Sequence, residues 1–134
     1  MKKVFYLVIP VVLVIIGFNV FNNHSNANSS SSCNLSAKDY VEVEKKDAII
    51  IDVRTPQEFA QGHLENAIQI DIYGRNFKQE MAKLDKNKKY FVYCKTGIRS
   101  RNAVNYMVQN GFKQVCNLEG GINYLSRAGV KLVQ

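Results

Sequence analysis

The stretch Tyr90-Phe91-Val92-Tyr93-Cys94-Lys95-Thr96-Gly97-Ile98-Arg99-Ser100-Arg101 constrains this chain more than any other. Four aromatic or apolar residues run into a cysteine, and a short loop with a glycine and an arginine follows. Beyond Arg99, the residues Ala103, Val104, Tyr106, Met107 and Val108 recur near helical spacing as far as Asn110-Gly111. The pattern predicts a strand, a loop and a helix, with Cys94 on the first residue past the strand. A loop that opens a helix turns backbone N–H groups inward, and the helix N-terminus adds partial positive charge. A thiol held there ionises readily, its pKa falling from about 8.5 to around 3.5–7.5. Arg99 adds a permanent cation beside the same pocket. The bland alternative is a buried, inert cysteine closing a core strand. Glycine and arginine at this spacing favour the reactive thiol.

The rest of the chain alternates in the same way. Ser36 is placed to cap a helix from Ala37 to about Lys45, with Tyr40, Val41 and Val43 inward. Ala48 to Val53 is a short continuous apolar run broken only by Asp52, as in a strand covered on both faces. Thr55 as cap, Pro56 at the first helical position and Glu58 three residues after the cap open a short helix that Gly62-His63 ends. Ala67 to Ile70 reads as a strand, and Asn76 to Leu84 as a helix. Gln114 to Leu118 reads as a further strand. Gly120-Gly121 opens a last helix that stops near Gly129. Strands alternating with helices imply an α/β fold with a central parallel sheet and helices on both faces. Ligands of such sheets bind at the carboxyl ends of the strands. Cys94, Asp52 and Arg54 all fall at such ends.

The chain has 134 residues and a net charge of +7. Two of its 18 basic residues are Lys2 and Lys3, leaving 16 against 11 acidic ones. The lysines between Lys83 and Lys89 suit a solvated helix end and turn. No nucleic-acid-binding motif accompanies the charge, so no nucleic-acid partner is expected. A modest positive field favours small anionic substrates.

Lys2-Lys3 precedes an apolar run from Val4 to Phe18, extended by Phe21, and Ser25-Asn26-Ala27 offers small residues for cleavage. Residues 1–27 therefore read as a secretory signal peptide or an uncleaved membrane anchor, and the sequence leaves the two open. Either way the domain is expected to be exported: periplasmic, anchored facing outward, or secreted. The residues before Cys33 lack the leucine and small residue of a lipoprotein signal, so no lipidation is expected. Residues 28–34 are rich in Asn and Ser and read as a flexible tether. Residues 35–134 form the folded domain. At about 100 residues it must bury roughly 60–70% of its unfolded surface, enough for one core.

Three segments carry a family resemblance. The first is Asp52-Val53-Arg54-Thr55-Pro56-Gln57-Glu58-Phe59 with Gly62-His63-Leu64 and Ala67-Ile68. The second is Cys94-Lys95-Thr96-Gly97-Ile98-Arg99-Ser100. The third is Gly111-Phe112, Val115 and Leu118-Glu119-Gly120-Gly121. In this order and spacing the chain resembles a single-domain rhodanese from Leu35 to Val130. It departs from many relatives at Leu125, where they have tryptophan, and at Asn66, where they have glycine. Both look like packing or turn positions.

The resemblance implies a rhodanese-like fold and a sulfurtransferase, with Cys94 as the sulfur-carrying nucleophile. The loop residues Lys95, Thr96, Gly97, Ile98, Arg99 and Ser100 would hold the persulfide and the donor. The implied partners are a small anionic sulfur donor such as thiosulfate and a thiol or cyanide acceptor. No cofactor and no metal are called for, and a monomer is expected. Asp52, Arg54 and Glu58 are read as supporting residues that brace the rim, with an Arg54–Glu58 ion pair at helical spacing. His63 beside Gly62 reads as a satisfied turn histidine rather than a base.

Two other readings stay in view. Cysteine-dependent phosphatases and arsenate reductases share the strand-loop-helix logic but place five residues between cysteine and arginine. Here Cys94 and Arg99 have four between them. A non-catalytic binding module of the same fold is the other rival. As for the remaining cysteines, Cys116 lies in a predicted core strand and is expected to be inert. Cys33, on the tether, could pair or stay free, or reach Cys94 as a resolving thiol.

Overall fold

A computed structural model of the protein describes residues 30–134. The expected signal or anchor segment and residues 28 and 29 of the expected tether lie outside them. Five parallel strands form the central sheet in the order β1 (Ser31–Leu35), β6 (Gln114–Leu118), β5 (Lys89–Tyr93), β2 (Ala48–Asp52) and β4 (Ile68–Gln69). Five helices accompany it: α1 (Ala37–Glu42), α2 (Pro56–Ala60), α3 (Phe77–Ala82), α4 (Ile98–Gln109) and α5 (Gly121–Arg127). This is the α/β architecture with a central parallel sheet expected from the alternation of elements.

β5 reads as an unbroken apolar run because both faces of the sheet are covered. Its alternate residues serve two different cores. Tyr90 and Val92, with Cys94 beyond them, pack with Ile51, Met81, Met107 and Phe112. Phe91 and Tyr93 point the other way, into a cluster with Tyr40, Leu64, Leu118 and Leu125. Residues 90 to 93 have no exposed surface at all. Large side chains buried to that degree contribute roughly 1.5–3 kcal/mol each, so β5 fixes the strand end on which Cys94 sits. Helix starts follow the local chemistry: Ser36 Oγ accepts from the Asp39 N–H, and Thr55 Oγ1 from the Glu58 N–H with Pro56 at the first turn.

Four expectations are corrected. Residues 31–34 are not tether: they belong to β1, paired in register with β6 from Ser31↔Gln114 to Leu35↔Leu118. Most of their side chains are exposed, so composition carried no strand signal, and the pairing groups are backbone. Cys33 and Cys116 are directly opposite in that register and form a disulfide. Cys116 is therefore no inert free thiol, and Cys33 is bonded elsewhere than to Cys94. Val41 is 49% exposed, because α1 ends at Glu42 and buries only the Ala37 and Tyr40 face. The structure also adds a small antiparallel ribbon of His63–Leu64 (β3) and Leu132–Val133 (β7); two-residue strands are too short to leave a sequence pattern.

Candidate active site

The backbone places Cys94 one residue past β5, and Gly97 makes the turn that follows. Gly97 has φ +99°, in the left-handed region that side chains disfavour, and caps α4 there. That turn carries its N–H back to the sulfur, with Gly97 N 3.1 Å from Cys94 Sγ. Ser100, one turn into α4, brings its Oγ to 3.4 Å from the same sulfur. Cys94 is only 1% exposed. Burial pushes its thiol pKa up, but hydrogen bonds from the Ser100 side chain and from the backbone of Ser100, Gly97 and Thr96 outweigh burial and hold it below the ordinary thiol value.

The start of α5 grips this loop from behind. The Ile122 N–H donates to the Cys94 carbonyl at 2.9 Å, and the Asn123 N–H to the Lys95 carbonyl at 3.3 Å. Gly121 has φ +57°, and a Cβ there would collide with the carbonyls of Cys94 and Lys95. Gly120-Gly121, read from the sequence only as a helix start, is thus a seat for the Cys94 loop. Lys95, Thr96 and Ile98 are exposed, while Gly97 and Ser100 are buried.

The charged residues pair differently from the sequence expectation. Arg54 does not pair with Glu58. Its Nε lies 3.0 and 3.1 Å from the two Asp52 carboxylate oxygens, and its Nη2 donates to Asp52 Oδ2 and to the Gly62 carbonyl, both at 2.7 Å. Asp52 is fully buried and Arg54 is 5% exposed, so each satisfies a charge the other could not leave bare. Glu58 instead takes Arg99, with Nη1–Oε1 at 2.8 Å and Nη2–Oε2 at 2.9 Å. Hydrogen bonding to Arg99 holds the Glu58 carboxyl down at about 2. The helix spacing of Arg54 and Glu58 suggested a pair. Arg54 precedes the Thr55 cap and is not helical, so that spacing does not bring the two together.

Behind the sulfur lies a polar chain that sequence reading missed. Ser100 Oγ is 2.6 Å from Asn117 Oδ1 on β6, and Asn117 Nδ2 reaches Asn34 Oδ1 on β1 at 3.3 Å and the Gly97 carbonyl at 3.5 Å. Asn117 is 1% exposed. A buried asparagine in an otherwise apolar strand was the available signal. Beside the site, Lys95 and Arg127 line a cleft of about 490 Å³ with Asn123, Ser126 and the rim of Arg54 and Glu58. His63 stacks on Phe59 with ring centroids 3.6 Å apart and shares a 2.9 Å hydrogen bond with the Phe59 carbonyl. Among the described residues no cluster of His, Cys, Asp and Glu could hold a metal ion, and no helix is long and apolar enough to cross a membrane.

The profile of the rhodanese-like domain matches residues 36–128. A sulfurtransferase of Allochromatium vinosum is 34% identical over 90 residues, covering 67% of this chain and 82% of the relative. A tRNA uridine(34) hydroxylase of Buchnera aphidicola is 45% identical over 83 residues, 58% of this chain, but the match spans only 25% of that enzyme. Among solved structures, a rhodanese-related protein from Thermoplasma volcanium superposes with a TM-score of 0.67 at 34% identity, over 75% of this chain and 97% of the other. A rhodanese-like domain protein from Staphylococcus aureus gives 0.65 at 28% identity, over 76% and 99%.

Proposed function

The chain belongs to the rhodanese-like domain family, and from that premise we propose that it moves a sulfane sulfur from a small anionic donor such as thiosulfate to a thiol or cyanide. The observation that carries this reading is the Cys94 sulfur itself. It faces the Gly97 N–H at 3.1 Å and its ionisation is favoured by three loop amides and Ser100. The thiolate attacks the outer sulfur of thiosulfate; a Cys94–S bond forms, the S–S bond of the donor breaks, and sulfite leaves with the electron pair. Cyanide then attacks the outer persulfide sulfur. Thiocyanate departs and the Cys94 thiolate is restored. The amides of Thr96, Gly97 and Ser100 are set to stabilise the anion at each stage without reorganising. The exposed Lys95 and the cleft it shares with Arg127 give the donor an approach of favourable charge.

Arg99 plays a smaller part than a free cation would, since Glu58 balances its charge. Asp52 and Arg54 act as a buried brace under the loop after β2. Export of the domain is part of the proposal, and the Cys33–Cys116 disulfide supports an oxidising compartment, where such bonds persist.

The test is a mass measurement. Incubation with excess thiosulfate should add one sulfur atom, cyanide should remove it and release thiocyanate, and Cys94→Ser should do neither. Sulfur accumulating in the Cys94→Ser protein at the parent's rate would sink the assignment. Release of phosphate from an aryl phosphate, with no sulfur uptake, would favour phosphatase chemistry instead.

A further inference from the structure

Ser100 has one hydroxyl proton and two acceptors within reach: Asn117 Oδ1 at 2.6 Å and Cys94 Sγ at 3.4 Å. One proton cannot serve both. While Cys94 is a thiol there is no conflict. Its S–H is then free to donate to Ser100 Oγ, while Ser100 donates to Asn117 Oδ1 and Asn117 Nδ2 to Asn34 Oδ1. Once the sulfur is an anion, Ser100 serves it only by turning its proton away from Asn117. Two oxygens would then stand 2.6 Å apart with no proton between them. Ser100 is fully buried and Asn117 is 1% exposed, so bulk water cannot repair the contact.

Rotating the Asn117 amide by half a turn resolves it, because the oxygen and nitrogen of a carboxamide occupy interchangeable positions. Nδ2 then donates to Ser100 Oγ, Ser100 donates to sulfur, and Oδ1 accepts from Asn34 once its amide has turned likewise. The whole chain reverses direction without moving a heavy-atom framework. The cost is the long contact from Nδ2 to the Gly97 carbonyl at 3.5 Å, the weakest bond in the set. Aspartate could only accept, and leucine could do neither. We propose that Asn117 and Asn34 form a reversible amide relay that keeps Ser100 partnered whether Cys94 is neutral or anionic, making both of them positioning residues for the sulfur-carrying step.

β1 is what supplies the outer half of this relay. Asn34 stands opposite Asn117 in the β1–β6 register, one residue from the Cys33–Cys116 bond. The disulfide lies on the other face of the sheet, since adjacent side chains alternate, and it holds the edge strand on which Asn34 rides. The charged groups around the sulfur are otherwise balanced or solvated. Arg99 is paired with Glu58, Asp52 on β2 is paired with Arg54, Lys95 is exposed, and Arg127 of α5 lies across the cleft.

The inference rests on Cys94 being the nucleophile, and its test reads ionisation rather than sulfur transfer, so the two readings can fail separately. With Cys33 and Cys116 bonded to each other, alkylation by neutral iodoacetamide reports Cys94. Its rate in the full chain is followed against pH. Asn117→Asp should raise the midpoint by about one pH unit, slowing the reaction about tenfold below it. In a Ser100→Ala background the relay is cut, and Asn117→Asp should then change the rate less than threefold. Asn34→Asp sits on an exposed side chain and gives the same test if Asn117→Asp does not fold. It should shift the midpoint in the same direction, and only when Ser100 is present. Equal shifts with and without Ser100 would mean bare charge and would overturn the relay, as would midpoints that do not move.

Discussion

Arg99 holds Glu58 by both prongs of its guanidinium, with bonds of 2.8 and 2.9 Å, across 41 residues of sequence. The pair ties the end of the Cys94 loop to the helix that follows β2. It also means that Arg99, a cation that feels the Cys94 sulfur, carries a partner already. Removing the partner should free it. Glu58→Gln is expected to lower the KM for thiosulfate a few fold while costing roughly 1 kcal/mol of stability, as for a partly exposed charge-assisted pair. Steady-state kinetics beside a urea titration checks this; a raised KM would show that the pair positions the loop for the donor.

The same pair sets an acid limb. Hydrogen bonding to Arg99 depresses the Glu58 carboxyl to about 2 from an ordinary value of 4.5. A depressed carboxyl binds fewer protons in the folded state than in the unfolded one, so its contribution is complete above 4.5 and is lost as the pH falls toward 2. Arg99→Ala should flatten that part of the stability profile. Urea midpoints measured from pH 5 down to pH 2 in both proteins should converge at the acid end, and parallel curves would contradict the assignment.

Arg54→Ala should behave as a folding defect. It leaves Asp52 charged, fully buried and without the guanidinium that satisfies it. Breaking a buried pair from one side costs about 3–5 kcal/mol, a large share of a small domain's stability. Thermal melts and soluble yield should both fall. A variant as stable as the parent that loses only turnover would mean that Arg54 acts on substrate.

Cys33→Ser should loosen β1. The bond joins residues 83 apart in sequence, for which chain entropy gives up to about 4.5 kcal/mol. Amide exchange of residues 31–35 should speed up before that of β5, and sulfur transfer should stay within a few fold of the parent. Loss of all sulfur uptake would place Cys33 in the chemistry.

Much of the site was legible because it is local. Cys94, Gly97 and Ser100 sit within seven consecutive residues, and a strand-loop-helix turn brings them together by short-range geometry alone. The Thr55 cap with Pro56 and Glu58 is local in the same sense, and it forms as read. The Gln114–Leu118 strand was legible too, since Val115, Cys116 and Leu118 carry its apolar character within its own residues.

What the amino-acid sequence determined by itself was therefore the alternating α/β order, the family, and the turn that presents Cys94. Tertiary structure decided which charges pair, that an Asn- and Ser-rich segment becomes an edge strand, and that Asn117 backs the sulfur through Ser100. Each of these depends on a partner far away in the chain: Arg99 on Glu58, Cys33 on Cys116, Asn34 on Asn117. Helix and turn signals report the energies of neighbours in sequence. A hydrogen bond or a disulfide between distant strands is fixed by packing and register, and no window along the chain contains both of its ends.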